Sequence, residues 1–192
     1  QIDNNSPLPL TGIFTIKIRA GEIIDGIYNI YLPTVEEVSY ETAFTFPNEN
    51  STITIPATAQ NVISVGGYDS LRDSVANFSG RGDTINIVYS KPDIVAPAVN
   101  ILSASNSGGY STFSGTSMAA PFVTGSAALM MEWGIIQNND PFLYGERIKA
   151  YLKSGARRIS GISFPDNRWG YGALCLLNTM SQLKTFNGYN FT

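Results

Sequence analysis

The 192-residue sequence contains no histidine. Any reaction in which an imidazole takes and returns a proton near neutral pH must therefore borrow that group from outside this chain. There is a single cysteine, Cys175, which rules out an internal disulfide and cannot build a zinc site. It reads as a small buried hydrophobe near the C-terminus. Basic runs are missing too: 12 Lys and Arg against 15 Asp and Glu give a net charge of -3, so neither nucleic acid nor an anionic membrane surface finds an electrostatic footprint. The longest uncharged stretch, 94–131, is interrupted by prolines, glycines and hydroxyl residues, which predicts no membrane span. No signal peptide or initiator methionine opens the chain, and the start Gln1-Ile2-Asp3-Asn4 reads as that of a processed or shortened product, although removal of a tag would look the same.

What is present is the composition of a folded domain, 43% hydrophobic and 14% charged. Residues 1 to about 46 read as β, with Ile13-Phe14-Thr15-Ile16-Lys17-Ile18 and Gly26-Ile27-Tyr28-Asn29-Ile30-Tyr31-Leu32 as β-branched and aromatic runs. They resemble the last strands of an antiparallel sandwich. From about Ser51 the pattern changes. Asn61-Val62-Ile63-Ser64-Val65-Gly66-Gly67 predicts a short strand buried on both faces, and further strands are expected near 93–95 and 100–103. Beyond Ser117, apolar residues at helical spacing (Met118, Phe122, Val123, Ala127, Met130, Met131) with small residues between them predict a deeply buried helix ending near Gly134. Two more helices are expected over about 144–153 and 173–183. The fold class is α/β: part of a mainly parallel sheet with flanking helices over 47–192, preceded by sandwich strands over 1–46.

The chemistry concentrates in Gly115-Thr116-Ser117-Met118-Ala119-Ala120-Pro121. A serine in the first turn of a helix sits beside unpaired backbone N–H groups and the positive end of the macrodipole. That setting suits a nucleophile whose attack creates an oxyanion, because the serine's own N–H can donate to it. Gly115 lets the backbone approach a substrate, and Ala119 and Ala120 let the helix pack closely behind. The structural alternative is a plain N-cap serine. Two other nucleophile patterns fail: Ala119 stands where Gly-x-Ser-x-Gly needs glycine, and Ala120 where Ser-x-x-Lys needs lysine.

Gly-Thr-Ser-Met-Ala-Ala-Pro resembles the serine signature of the subtilisin family, and the likeness extends over roughly 53–178. Val65-Gly66-Gly67 is similar to a family strand usually ending Val-Gly-Ala. Ala76-Asn77-Phe78-Ser79-Gly80-Arg81-Gly82 resembles its Phe-Ser-x-x-Gly loop, and Lys91-Pro92-Asp93-Ile94-Val95-Ala96-Pro97 its Pro-Asp-(Ile/Val)-x-Ala-Pro strand. Tyr110 to Gly115 resembles the approach to the nucleophile, and Gly170-Tyr171-Gly172 the Gly-x-Gly before the last helix. The resemblance implies that Ser117 attacks the scissile carbonyl, that its N–H is one oxyanion donor and that the Thr116 hydroxyl assists. In the family's order of Asp, then His, then Ser, the partners lie upstream of Gln1, as does an oxyanion Asn. Asp69, Asp73 and Asp93 read as loop or strand-end residues. Pro56 falls where the family has a cis-proline that shapes the substrate pocket; an ordinary trans proline opening a loop is the alternative.

Two departures stand out. Ala98 replaces a usual glycine, implying a different turn, and Phe122 replaces a common non-catalytic histidine, implying repacking behind the site. A β-sandwich before the final third resembles clostridial germination proteases of the Csp type, which carry a jelly-roll insertion there. That likeness rests on Gly26 to Pro33, Thr45-Phe46-Pro47, Thr52 to Ala59, Met131 to Ile135 and Ser154 to Arg158. It implies cleavage of a spore cortex-lytic zymogen by a bacterial, spore-associated or extracytoplasmic enzyme. Protein or peptide substrates and the N-terminal part of the same protease are then the expected partners. No cofactor is required; the family's calcium sites have no assignable residues here. The rival reading is a non-catalytic binding or scaffold protein built on a subtilase remnant. An integrin-type Arg81-Gly82-Asp83 is better explained by the family loop than by adhesion.

Overall fold

A computed structural model describes residues 12–19, 21–22, 24, 26, 28–32, 41–83 and 90–186, the last three by backbone alone. The chain divides into two units, Gln1–Thr42 and Ala43–Thr192. The expected sandwich runs fall in the first, and much of them lies outside the described residues. Where they are described, at 13–18 and 28–32, no strand forms and the side chains are exposed. A strand persists only where a partner supplies ladder bonds, and none is present among the described residues here.

The second unit is α/β. In order it runs β1 (Val65–Asp69), β2 (Ser74–Val75), β3 (Ile94–Pro97), β4 (Ile101–Ala104), β5 (Tyr110–Phe113), α1 (Thr116–Met131), α2 (Glu146–Gly155) and α3 (Leu176–Phe186). One sheet has the order β2-β1-β3. β1 and β3 are parallel, with Val65 opposite Ile94 and Tyr68 opposite Pro97. β4 and β5 form an antiparallel hairpin, Ile101 opposite Phe113.

Period-two alternation in β3 sends side chains to both faces. Ile94 and Ala96 join Ala119, Val123 and Met130 of α1 and Leu152 of α2 in one buried cluster. Val95 points the other way, into a second cluster with Tyr68, Trp169 and Ala173. Tyr68 and Trp169 meet there with ring centroids 5.6 Å apart. Ile94 and Val95 are fully buried, each contributing about 1.5–3 kcal/mol of transfer free energy.

Several boundaries move, each for a local reason. The strand expected at 61–67 begins at Val65 and continues through both glycines to Asp69, because 57–62 is occupied by turns. α3 starts at Leu176 rather than 173, because 172–174 lies along the outer side of β3: Val95 N–H donates to Gly172 O (3.0 Å) and Leu174 N–H to Val95 O (2.8 Å). Gly134 does not end α1. It sits inside a π-helical turn, Glu132–Ile136, where a Cβ would lie 2.8 Å from Leu143 Cβ. The β4–β5 hairpin was not anticipated, although Gly108-Gly109, both with positive φ, is a turn signal of the expected kind.

α1 is also less buried than its composition predicts. Only Ala119, Val123, Ser126 and Met130, a stripe spaced 4, 3 and 4, face the interior. Phe122 and Leu129 are 43% and 53% exposed. Among the described residues the sheet covers a single side of this helix. Phe122 consequently does not repack behind the site. α1 and its continuation, Thr116–Ile136, are long and apolar enough to cross a membrane, but α1 packs on β1 and β3 as a core helix.

Ala98, which follows β3, is fully buried. A Cβ built on Gly67 would lie 2.6 Å from Ala98 Cβ, so the two strands share one methyl-sized space and Ala98 fills it. Gly67→Ala alone should overpack this contact and cost about 1–3 kcal/mol. Gly67→Ala with Ala98→Gly should recover most of the loss, a coupling readable in urea unfolding as a double-mutant cycle. Simple additivity would show that the two positions do not share the space.

Candidate active site

The nucleophile motif is held by the segment that follows β3. Gly115 N–H donates to Ala98 O (2.9 Å), and Asn100 N–H donates to Ser114 Oγ (2.9 Å). Gly115 takes φ 155° and ψ 161°, a region that residues with a Cβ avoid. The space around it is open, so the backbone angle and not crowding requires glycine. This extended residue is the N-cap of α1, with no side-chain cap, and Met118 N–H closes the turn onto Gly115 O (3.0 Å). Ser117 is thereby the second helical residue. It is not the cap, so the structural alternative raised by the sequence does not describe it.

Ser117 is exposed, Thr116 half-buried and Ala119 fully buried. As a first-turn residue, Ser117 has no intrahelical acceptor for its N–H. Among the described residues, none makes a hydrogen bond with its hydroxyl. The motif therefore presents an accessible oxygen and an unpaired donor on one rigid helix start, backed by small side chains. Among the described residues it has no base.

The three aspartates weighed in the sequence are committed elsewhere. Asp69 ends β1; its carboxylate accepts from Leu71 N–H (2.9 Å) and pairs with Arg72 (2.8 Å), and these contacts, the backbone bond first, hold its pKa below the usual value. Asp73 is gripped by both terminal nitrogens of Arg157 (2.9 and 2.6 Å), which likewise lowers its pKa and raises that of the arginine. Asp93, at 2% exposure, accepts from Ser64 N–H (2.8 Å) and Ser64 Oγ (3.1 Å) and pairs with Lys91 (2.7 Å). Lys149 and Lys153 approach its other oxygen at 3.7 and 3.8 Å. These are strand-end and loop residues with structural partners. Lys91 stands two residues from Asp93, and Lys149 and Lys153 share one face of α2, but nothing in the sequence brings α2 against the start of β3.

Next to the motif lies a cavity of about 530 Å³, bordered by Thr52, Ile53, Val65, Phe78, Ser79 and Thr116 among others. Ala57, also on its wall, follows a cis Ile55–Pro56 bond, so Pro56 takes the cis form that the resemblance implied. Arg81 stands at the same cavity, its guanidinium paired with Glu49 and its N–H donating to Thr52 Oγ1 (2.9 Å). Gly82 N–H donates to Asn167 O (2.8 Å), and a Cβ there would collide with the Lys91 carbonyl. Arg81-Gly82 is thus built into the protein, in keeping with a family loop. Among the described residues no group of three His, Cys, Asp or Glu is placed to hold a metal ion.

A conserved-domain description of the subtilase family matches residues 41–172. This chain belongs to the subtilase family. It is similar to serine protease AprX of Bacillus subtilis, 39% identical over a match of 152 residues, gaps included, that covers 69% of this chain and 32% of that protein. A thermophilic serine proteinase from a Bacillus species is 39% identical over 114 residues, 59% of this chain and 24% of that one. Among solved structures, the Clostridium perfringens CspB protease superposes with a TM-score of 0.71 at 53% identity, covering 74% of this chain and 31% of its own. The patellamide maturation protease PatA gives a TM-score of 0.60 at 28% identity, covering 72% and 48%. The chain spans about a third of the length of AprX and CspB.

Proposed function

We propose that this chain supplies the nucleophile half of a subtilisin-type serine endopeptidase. Ser117 attacks the scissile carbonyl, its N–H stabilises the resulting oxyanion and Thr116 supports that donor. One observation carries the reading: an exposed serine, two residues past a glycine N-cap, whose hydroxyl and N–H have no partner among the described residues. A free serine hydroxyl is a weak nucleophile near neutral pH and needs an adjacent base. With no histidine in the sequence, the base, the Asp that orients it and the second oxyanion donor come from the N-terminal part of the same protease. The reaction requires no cofactor.

The 53% identity to the CspB protease favours the Csp-type branch. In that branch residues 1–46 finish a jelly-roll insertion and the substrate is a spore cortex-lytic zymogen, activated by one cleavage in a spore-associated or extracytoplasmic setting. A fluorophosphonate probe tests the catalytic reading. Ser117-dependent labelling should appear when the upstream segment is present and stay at background in this chain alone. Brisk labelling of the isolated chain would refute the shared site. The missing histidine also favours a scaffold built on a subtilase remnant, and coding sequence upstream that lacks Asp and His in subtilase context would select it.

A further inference from the structure

The Ser117 hydroxyl has no hydrogen-bond partner among the described residues, so the backbone around it fixes where its oxygen stands. That backbone passes through Gly115, whose φ of 155° and ψ of 161° suit glycine alone. A residue with so much freedom keeps one conformation only while its neighbours are held. Within the helix, Met118 N–H closes onto Gly115 O (3.0 Å). Two further bonds reach the entry to α1 from the segment after β3. Gly115 N–H donates to Ala98 O (2.9 Å), and Asn100 N–H donates to Ser114 Oγ (2.9 Å). The second lies beyond the last rung of the β4–β5 ladder, Ile101 opposite Phe113. Asn100 takes φ 54°, a left-handed conformation that asparagine tolerates, and its N–H meets a side-chain oxygen in place of a ladder partner.

We propose that Ser114 is a positioning residue: by accepting from Asn100 N–H, its hydroxyl steadies the glycine hinge that aims Ser117. This rests on the reading of Ser117 as the nucleophile. The fold has little stake in the bond. Ser114 is exposed, the hairpin keeps its four rungs without it, and it belongs to neither buried cluster. The nucleophile has more to lose. With the hydroxyl gone, only the bond from Gly115 to Ala98 ties the entry of α1 to the segment after β3, and the chain can turn about Gly115. A displacement of about 1 Å at a reacting atom can cost about 10²-fold in rate, so a partial release should cost about tenfold. Ser114 acts on the backbone through Gly115 and does not touch the reacting atoms.

Ser114→Ala and Ser114→Thr in the complete protease, measured beside Ser117→Ala by steady-state kinetics and melting curves, test the proposal. Ser114→Ala should lower kcat about tenfold and leave KM within about twofold, because ground-state binding is untouched. Its Tm should fall by no more than about 4 °C, the share of one exposed hydrogen bond. Ser114→Thr keeps the acceptor oxygen and should hold kcat within about threefold of the parent. A kcat within about twofold of the parent in Ser114→Ala, with Ser117→Ala inactive, would overturn the positioning role and leave the nucleophile reading standing. Turnover retained by Ser117→Ala would overturn the nucleophile reading and the positioning role together. Equal losses in the alanine and threonine variants would take the effect away from the acceptor oxygen and overturn the proposal. So would a raised KM at unchanged kcat, which places Ser114 against substrate. Activity lost only in proportion to folded protein would make the bond structural and overturn the proposal as well.

Discussion

Ser117→Ala in the complete protease should lower kcat by about 10⁶-fold, the scale on which a subtilisin loses turnover when its serine is removed. KM should barely move, because the hydroxyl acts in the transition state and contributes little to ground-state binding. Stability should stay within about 0.5 kcal/mol: the side chain is exposed, makes no hydrogen bond among the described residues, and alanine is the better helix former. The combination is diagnostic. The alanine variant keeps the backbone N–H, so residual catalysis of about 10³–10⁴ over water should survive through the oxyanion donors and substrate binding. Steady-state kinetics together with a melting curve reads both quantities. Turnover within tenfold of the parent would remove Ser117 from the chemistry, and a large fall in Tm with activity retained per folded molecule would make it structural.

Asp93→Ala should be strongly destabilising, by about 3–5 kcal/mol, the usual cost of stranding a buried partner charge. The carboxylate is 2% exposed and is the shared counter-ion of Lys91, Lys149 and Lys153, whose side chains are 12%, 10% and 25% exposed. Removing it leaves three ammonium groups in a partly dry site. The other charge nearby is Glu146, 4.0 Å from Lys149 and well exposed. Ser64 N–H and Ser64 Oγ lose their partner as well. Asp93→Asn separates the terms, since an amide oxygen still accepts from Ser64 while the charge is gone. If charge dominates, Asn costs nearly as much as Ala, and Lys149→Met should recover part of the loss. Urea unfolding gives the comparison. A cost below about 1 kcal/mol for the alanine variant would show that the lysines are accommodated by solvent.

Both predictions bear on how far the sequence could be read. Gly115-Thr116-Ser117 is contiguous, and its meaning lies in local backbone rules: a glycine-only conformation, then a helix start, then an exposed hydroxyl. Such a motif survives in one dimension. The β3 strand was legible for the same reason, as a short apolar run. α1 was legible as a helix but not in its burial, because composition records which residues tolerate an interior and not which side a neighbour covers. Phe122 shows this most clearly. The residue order made it an interior candidate, and it lies on the side of α1 that the sheet does not reach.

The sequence by itself determined the family signature, the place of the candidate nucleophile and, through a count of zero histidines, that this chain holds no imidazole base. Each of these is a property of neighbouring residues or of totals, so no folding was needed to see it. Only the tertiary structure decided that Gly67 and Ala98 share one methyl-sized space and that Lys149 and Lys153 join Lys91 at Asp93. Those facts depend on strand register and helix docking. Both are set by packing between segments far apart in the chain, which no local pattern encodes.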